Sequence, residues 1–375
     1  MASEQTFPSS VNPAAAPRRL LTTAVWLAVV VGVLGAIAYH ARMGAVSPRI
    51  ANPEVTGVPR PVEFRWGNDF PIQEMQWGTV GMMALLVAVC ARAWRRHPGH
   101  PNVLMVLAAT GIVWQDPIMN WAPYAVYNPQ LWHWPEDWPL VKISPTVEPF
   151  VVVGYAAFYF VVPFFTSSWI LRRLQAGAAR DSFLWRHPLL SLGLLLFVVG
   201  FLFDAMLEIF SIQAGLYIYS QVMPWGSVFA GTTFQFPLIW ESALVTVVMI
   251  PAGILCHRDD TGRTQAEKLV QKFRWLPKRP ALGTFLMMFA ILNVAYFMYG
   301  AGFAIIRASK LATAVACPWP FPEAKVYDPN GFYEKEGHAG PFFEGLWNGW
   351  LSAQPSGRPS MEPPADGGRC GPGRA

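Results

Sequence analysis

Seven stretches of the chain are apolar over about 20 residues, the length that crosses a hydrocarbon core of about 30 Å. They run over about Leu20–Tyr39, Trp77–Trp94, Val103–Tyr124, Phe150–Leu171, Leu189–Ile212, Val228–Cys256 and Ala281–Ile306. Lipid offers no hydrogen bonds to a backbone, so a spanning segment of this kind must satisfy its own amides as a helix. The expected fold is therefore all-α: a polytopic bundle of about seven transmembrane helices. Composition agrees, with 53% apolar and 14% charged residues over 375 positions, against about 25% charged in soluble domains. No internal repeat of fixed period is evident.

Lysine and arginine set the orientation. With the N-terminus inside, the cytoplasmic segments carry sixteen of them and the outside loops five, the bias of an N-in, C-out protein. This divides the chain into a cytoplasmic tail (1–19), a membrane domain (20–306) and a Pro/Gly-rich outside tail (307–375). Within the membrane domain, loops 40–76 and 125–147 lie outside. A bacterial-type plasma membrane is the expected location. Ala36-Ile37-Ala38 has the small-x-small form of a signal cleavage site. The apolar run before it exceeds the about 7–15 residues of a signal core, so it is read as an uncleaved helix. The net charge of +5 follows from topology. No basic stripe appears, and no nucleic-acid partner is expected. Of the four cysteines, Cys90 and Cys256 fall near cytoplasmic helix ends. Cys317 and Cys370 fall in the outside tail, where an oxidising compartment would let them pair. None has metal-ligand spacing.

Ionisable groups inside a membrane are costly and mark function, so their depth matters. In this topology Asp116 and Asn120 lie in the outer part of the third span, and Glu148 opens the fourth from outside. Asp204 and Glu208 fall in the outer third of the fifth. Gln235 and the deeper Glu241 belong to the sixth, and Asn293, Tyr296 and Tyr299 to the outer half of the seventh. All share middle or outer depth, beneath a loop over 121–147 rich in aromatics: Trp121, Tyr124, Tyr127, Trp132, Trp134 and Trp138. That loop is either a lid over a pocket or an interfacial aromatic belt.

Two pairs have helical spacing. Asp116 and Asn120 are i,i+4 and share a face if the helix continues. Pro117 interrupts it, freeing the carbonyl of Val113, and irregular backbone at membrane depth is tolerated against protein or a wet cavity. Asp204 and Glu208 are also i,i+4. Two carboxylates on one face in low dielectric resist joint ionisation; one keeps a proton and the other serves as base. Gln235 and Glu241 are six apart and point to different faces unless Pro237 bends the helix. Polar groups that merely join helices are the plain alternative.

Missing motifs narrow the chemistry. There is no phosphate-binding G-x-x-x-x-G-K-[ST] and no dinucleotide G-x-G-x-x-G. No G-x-S-x-G nucleophile elbow appears, and only His97 and His100 lie close among the seven histidines. Acid/base work by carboxyl groups remains, with no cofactor and no metal expected. An oxygen-ligand metal site at Asp204, Glu208 and Asp116 is a minor alternative.

The segments VWQDPIMNWAPYAVYNPQ (113–130), SPTVEPFVVVGYAAFYF (144–160) and FDAMLEIF (203–210), set in this span pattern, resemble the AveC-type spirocyclase family. The likeness covers about Trp77–Ile306. It implies an integral membrane enzyme that closes a lipophilic dihydroxy-ketone to a spiroketal, with loss of further water as an added step. It carries over no catalytic assignment; the following roles come from the residues themselves. Forming a spiroketal needs a proton for a departing hydroxyl, stabilisation of an oxocarbenium cation, and a base for the second hydroxyl. Asp204 and Glu208 are assigned as the acid/base centre, Asp116 as the cation stabiliser and Asn120 as the group that orients a hydroxyl. Glu148, Glu241, Trp114, Trp121, Tyr155 and Asn293 are assigned to the substrate-facing wall. The expected partners are a lipophilic small molecule and the bilayer itself. A proton-coupled or lipid-binding transporter, or a structural envelope subunit, stays open as an alternative, since acids beside broken helices also occur in transporters.

Overall fold

The computed structural model describes residues 70–316 except 129–130, 136–137, 139 and 274–275, together with 28, 31, 32 and 35. The chain is mostly helical, and six helical segments are long and apolar enough to cross a membrane: Ile72–Arg96, Pro101–Trp121, Phe150–Ala176, Pro188–Gln213, Leu238–Cys256 and Pro280–Ala308. They correspond to the second to seventh expected spans. The first, Leu20–Tyr39, lies outside the described residues but for four positions, as do the tail 1–19, residues 317–375 and the Cys317–Cys370 pairing.

Proline and glycine explain most boundaries. Helix α1 (Phe70–Arg96) ends with Arg95 and Arg96 in its last turn, where cations meet the negative end of the helix dipole. Pro98 and Gly99, the latter at φ +78°, then turn the chain into α2 (Pro101–Gly111). There Pro101 takes the first turn and His100 caps it, its Nδ1 accepting from the Asn102 N–H at 3.2 Å. The third expected span does break before Pro117, but more gently than expected. A 3-10 turn over Ile112–Gln115 leads into α3 (Asp116–Trp121), and the Asp116 N–H donates to the Val113 carbonyl. The carbonyl that Pro117 would have freed is therefore satisfied by tightening the turn.

The next span is the most irregular. It opens as a 3-10 segment, Phe150–Gly154, widens into a π-turn over Ala157–Val161, and becomes regular in α4 (Val162–Ala176). The wide turn sits directly before Pro163, whose missing N–H interrupts the ladder. A short α5 (Phe183–Arg186) precedes the unbroken α6 (Pro188–Gln213). The sixth expected span needs correction. Residues 228–236 form a loop, closed by pairing of Val228 with Phe236, and α7 begins only at Leu238 and ends at Cys256. Pro237 caps it, and Gly226 and Gly231 upstream hold positive φ. A buried loop and a buried helix carry the same apolar composition, so hydropathy merged the two. Helix α8 (Gln265–Val270) starts with a capping box of Thr264 and Glu267, and α9 (Pro280–Ala308) completes the bundle.

Helix α7 is central, packed between α6 and α9; α2 packs on α9 and α4 on α6. Glycines permit the closest approach. A Cβ on Gly253 would lie 2.6 Å from Leu196 of α6, and one on Gly200 would lie 2.6 Å from Met249 of α7, the small-residue packing that lipid favours. Helix α1 is peripheral and rests mainly on the 3-10 segment Phe150–Gly154. At one end of the bundle, β1 (Ala125–Tyr127) pairs antiparallel with β2 (Tyr217–Tyr219), matching Ala125 with Tyr219 and Tyr127 with Tyr217. Beside them β3 (Gln221–Val222) pairs with β4 (Ala314–Val315). Gln235 fastens this cap: its amide nitrogen donates to the carbonyls of Tyr219 (2.8 Å), Ser220 (3.2 Å) and Ala314 (3.3 Å).

Candidate active site

The cap roofs a cavity of about 380 Å³ bounded by α1, α3, the irregular span, α6, α7, α9 and the β1–β2 ribbon. Its walls are mostly apolar, with Asp116, Asn120, Glu208, Glu241, Glu74 and a group of tyrosines facing in. No lysine, arginine or histidine appears among the described lining residues.

The carboxyl groups fall into two clusters. In the first, Asn120 donates its amide to Asp116 Oδ2 at 3.0 Å and to Glu148 Oε2 at 2.9 Å. The i,i+4 expectation for Asp116 and Asn120 thus holds across one turn of α3, and Glu148 arrives from the loop before the next span. Ser144 donates to Glu148 Oε2 at 2.7 Å, and Tyr296 to Asp116 Oδ1 at 3.1 Å. The Tyr296 hydroxyl also meets that of Tyr155 at 2.6 Å. Burial, and then the Asp116 charge beside it, push the Glu148 carboxyl well above the ordinary carboxylate range.

The second cluster joins Asp204 and Glu208, one turn apart on α6, to Glu241 on α7. One oxygen from each lies within 4.8 Å of the others. Tyr219 donates to Glu208 Oε2 at 2.9 Å and Tyr299 to Glu241 Oε1 at 2.7 Å. Burial and the Glu208 charge raise the Tyr219 phenol above its ordinary range, so it stays a donor. The rings of Tyr296 and Tyr299 stack with 5.7 Å between centroids, bridging the two clusters along one face of α9.

The residues expected at the site are sorted by this geometry. Asp116, Asn120, Glu208, Glu241 and Tyr155 line the cavity. Asp204 and Glu148 stand behind the wall, each against a carboxylate that does line it. Trp114, Trp121 and Asn293 lie outside the lining of this cavity. Trp114 is half exposed and donates to Asn293 Oδ1 at 2.8 Å, which also accepts from Gln115 at 2.8 Å. The three clasp the 3-10 turn to α9. A 3-10 turn advances about 120° per residue rather than about 100°, so the face projected along a continuous helix is lost before Trp114. Trp121 is a platform for the buried Arg307, whose guanidinium lies 4.0 Å from its ring centre and whose Nη1 donates to the Trp121 carbonyl at 2.6 Å. Gln235 belongs to the cap and not to the cavity.

The aromatic loop divides as well. Tyr127 lines the cavity with Pro123 and Ala125. Trp132 packs edge-on against Trp77 at 5.0 Å and Trp134 against Trp138 and Phe150, all outside the lining. The roof is made of tyrosine: Tyr127 from β1, Tyr217 and Tyr219 from β2. The last two were missed. Their signal was the alternation in Tyr217-Ile218-Tyr219, which puts two tyrosines on one face of a strand.

The description "Spirocyclase AveC-like" matches residues 94–327. The chain belongs to the AveC-like spirocyclase family. The matched stretch takes in five of the six described spans and every acid of both clusters. Family membership carries a spirocyclase-type, and so enzymatic cyclase, function for a multi-pass membrane protein. No curated protein and no solved structure matches the chain.

Proposed function

We propose that this cavity is the active site of a spirocyclase acting on a lipophilic dihydroxy-ketone, a polyketide or lipid, and that its carboxyl groups supply the acid and the base. The supporting observation is the lining itself: carboxyl groups from four helices face one mostly apolar space that also holds phenols and, among the described residues, no basic side chain. Such a wall suits a neutral polyol and a cationic transition state, and repels a carboxylate or phosphate.

The roles assigned from sequence shift by one step. Asp116 and Glu148 hold a proton between them, and Asp116 is the member on the wall. It protonates the hydroxyl of a hemiketal, which leaves as water. The oxocarbenium that remains faces the net negative charge of the Asp204, Glu208 and Glu241 cluster and the tyrosine faces. The second substrate hydroxyl attacks that carbon, and its proton returns to the Asp116 carboxylate, which resets the pair. Asn120 fixes Asp116 and Glu148 relative to each other. Loss of a further water from the product would use the same groups.

The substrate enters from the bilayer. Met75, Gly78, Thr79 and Met82 of the peripheral α1 form one wall, and α1 borders the cavity beside the irregular span. In the proposed N-in, C-out topology of a bacterial-type plasma membrane, the cavity lies toward the outer half, with 1–19 inside and 307–375 outside. Nucleic acid has no part in this reading.

Mass spectrometry of lipid extracts from cells with and without the protein is the test. A metabolite one water heavier should accumulate without it, and Asp116→Asn should reproduce that accumulation at normal protein levels. A compound that instead shifts between cells and medium at unchanged mass would replace the cyclase reading with transport.

A further inference from the structure

The two clusters hold their charge in different ways, and the second lacks what the first has. Asp204 is 0% exposed, and neither of its carboxylate oxygens makes a well-formed hydrogen bond among the described residues; the Ser242 hydroxyl is close by but is itself without a well-formed bond. The inward oxygen of Glu241, Oε2, is likewise buried without one, while its Oε1 is held by Tyr299. Protons alone do not account for this. A protonated carboxyl in such a cluster would give its O–H to a neighbouring oxygen at about 2.5–2.7 Å, and no such contact reaches Asp204. Three ionised carboxylates without compensation would repel one another strongly at low dielectric.

We propose that Asp204, Glu208 and Glu241 form a binding site for a hard divalent cation of the calcium or manganese class. Oxygens from all three lie within 4.8 Å of one another, inside the about 5 Å that opposite ligands on one calcium-sized ion span. An all-carboxylate set with no histidine or thiolate selects such ions over zinc or copper. Tyr219 and Tyr299 hold Glu208 Oε2 and Glu241 Oε1, the outer support that orients metal-binding carboxylates. Asp204 anchors the ion from behind the wall, and Glu208 and Glu241 present it to the cavity. One of the ion's open positions then takes a ketone or hydroxyl oxygen of the substrate. That last role rests on the cyclase reading; the binding itself does not. It corrects the metal set conceivable from sequence, with Glu241 replacing Asp116.

The test is Mn²⁺ titration of the purified full-length protein in detergent after chelation, followed by the loss of the free-ion EPR signal. About one equivalent should bind, and Ca²⁺ should compete for it. Asp204→Asn and Glu241→Gln should weaken binding by at least about tenfold, and Asp116→Asn should bind as the unaltered protein does. No binding by the unaltered protein would overturn the site, whatever the variants do. Equal binding by Asp204→Asn would show an adventitious ion only and overturn it too. Failure of the cyclase reading would leave the titration unchanged and would appear solely in the metabolite comparison.

Discussion

The cluster at Asp116 and the cluster at Asp204 are built from the same side chains in the same buried layer, yet they differ in how their oxygens are satisfied. Both Asp116 oxygens accept hydrogen bonds, from Tyr296 and Asn120, and Glu148 Oε2 accepts two, leaving only Glu148 Oε1 without a donor among the described residues. Across the cavity, both Asp204 oxygens and one of Glu241 have none. A loop and a short helix can bend until donors reach the acids, as at Ser144 and Asn120. Two long helices packed through Gly200 and Gly253 cannot. The rigid half therefore leaves three carboxylate oxygens without a donor, against one, Glu148 Oε1, in the irregular half.

The most damaging change to that division is Asp116→Asn, which keeps the shape and one acceptor oxygen but removes the transferable proton and turns the other acceptor into a donor. Turnover should fall by about 10²–10⁴-fold, read as spiroketal formed per amount of folded protein in membranes. Asn120→Leu attacks the first network from its centre. It removes a donor from each of two buried acids and should cost about 3 kcal/mol, read by thermal unfolding. If Asn120→Leu were neutral, the satisfied network would not be what sets this cluster apart.

A pH experiment separates the clusters without touching the wall. Glu148 sits above the ordinary carboxylate range when folded, so the folded protein binds its proton more tightly than the unfolded chain does. Its contribution to stability is present at low pH and is lost as pH rises from the ordinary carboxylate value through the raised one. The thermal midpoint should therefore fall over that window, and Glu148→Gln should flatten the decline. A decline equally steep in Glu148→Gln would place the titrating group elsewhere.

Much of this was legible before any coordinates. Five of the six described spans lie within a few residues of the apolar stretches, apart from the earlier start of α1, because hydropathy over about 20 residues has one solution in lipid. Both i,i+4 pairs, Asp116 with Asn120 and Asp204 with Glu208, share a face because helical period alone fixes that. What the sequence could not supply was which element meets which. Glu148 reaches Asn120 because a loop folds back, and Glu241 reaches Asp204 because α7 packs on α6; neither follows from local spacing. The loop over 228–236 was hidden by its own apolar composition, and the tyrosine roof by strands of three residues. The tryptophans drew attention by number and turned out to serve packing: Trp121 under Arg307, Trp132 against Trp77.

Two milder changes complete the comparison. Tyr219→Phe removes one hydrogen bond from Glu208 and leaves the ring in the roof. It should cost about 0.6–1 kcal/mol and weaken Mn²⁺ binding modestly, by a few-fold, while leaving the Asp116 cluster alone. Trp114→Phe is the smallest. Its indole N–H bonds Asn293 near the surface, and Gln115 still donates to the same oxygen, so the acceptor is not orphaned. Stability should change by no more than about 0.5 kcal/mol, and turnover should stay within twofold of the unaltered protein, about the scatter of such assays. A large loss of turnover in Trp114→Phe would return that tryptophan to the substrate path and extend the cavity past the 3-10 turn, toward the clasp that now separates it from α9.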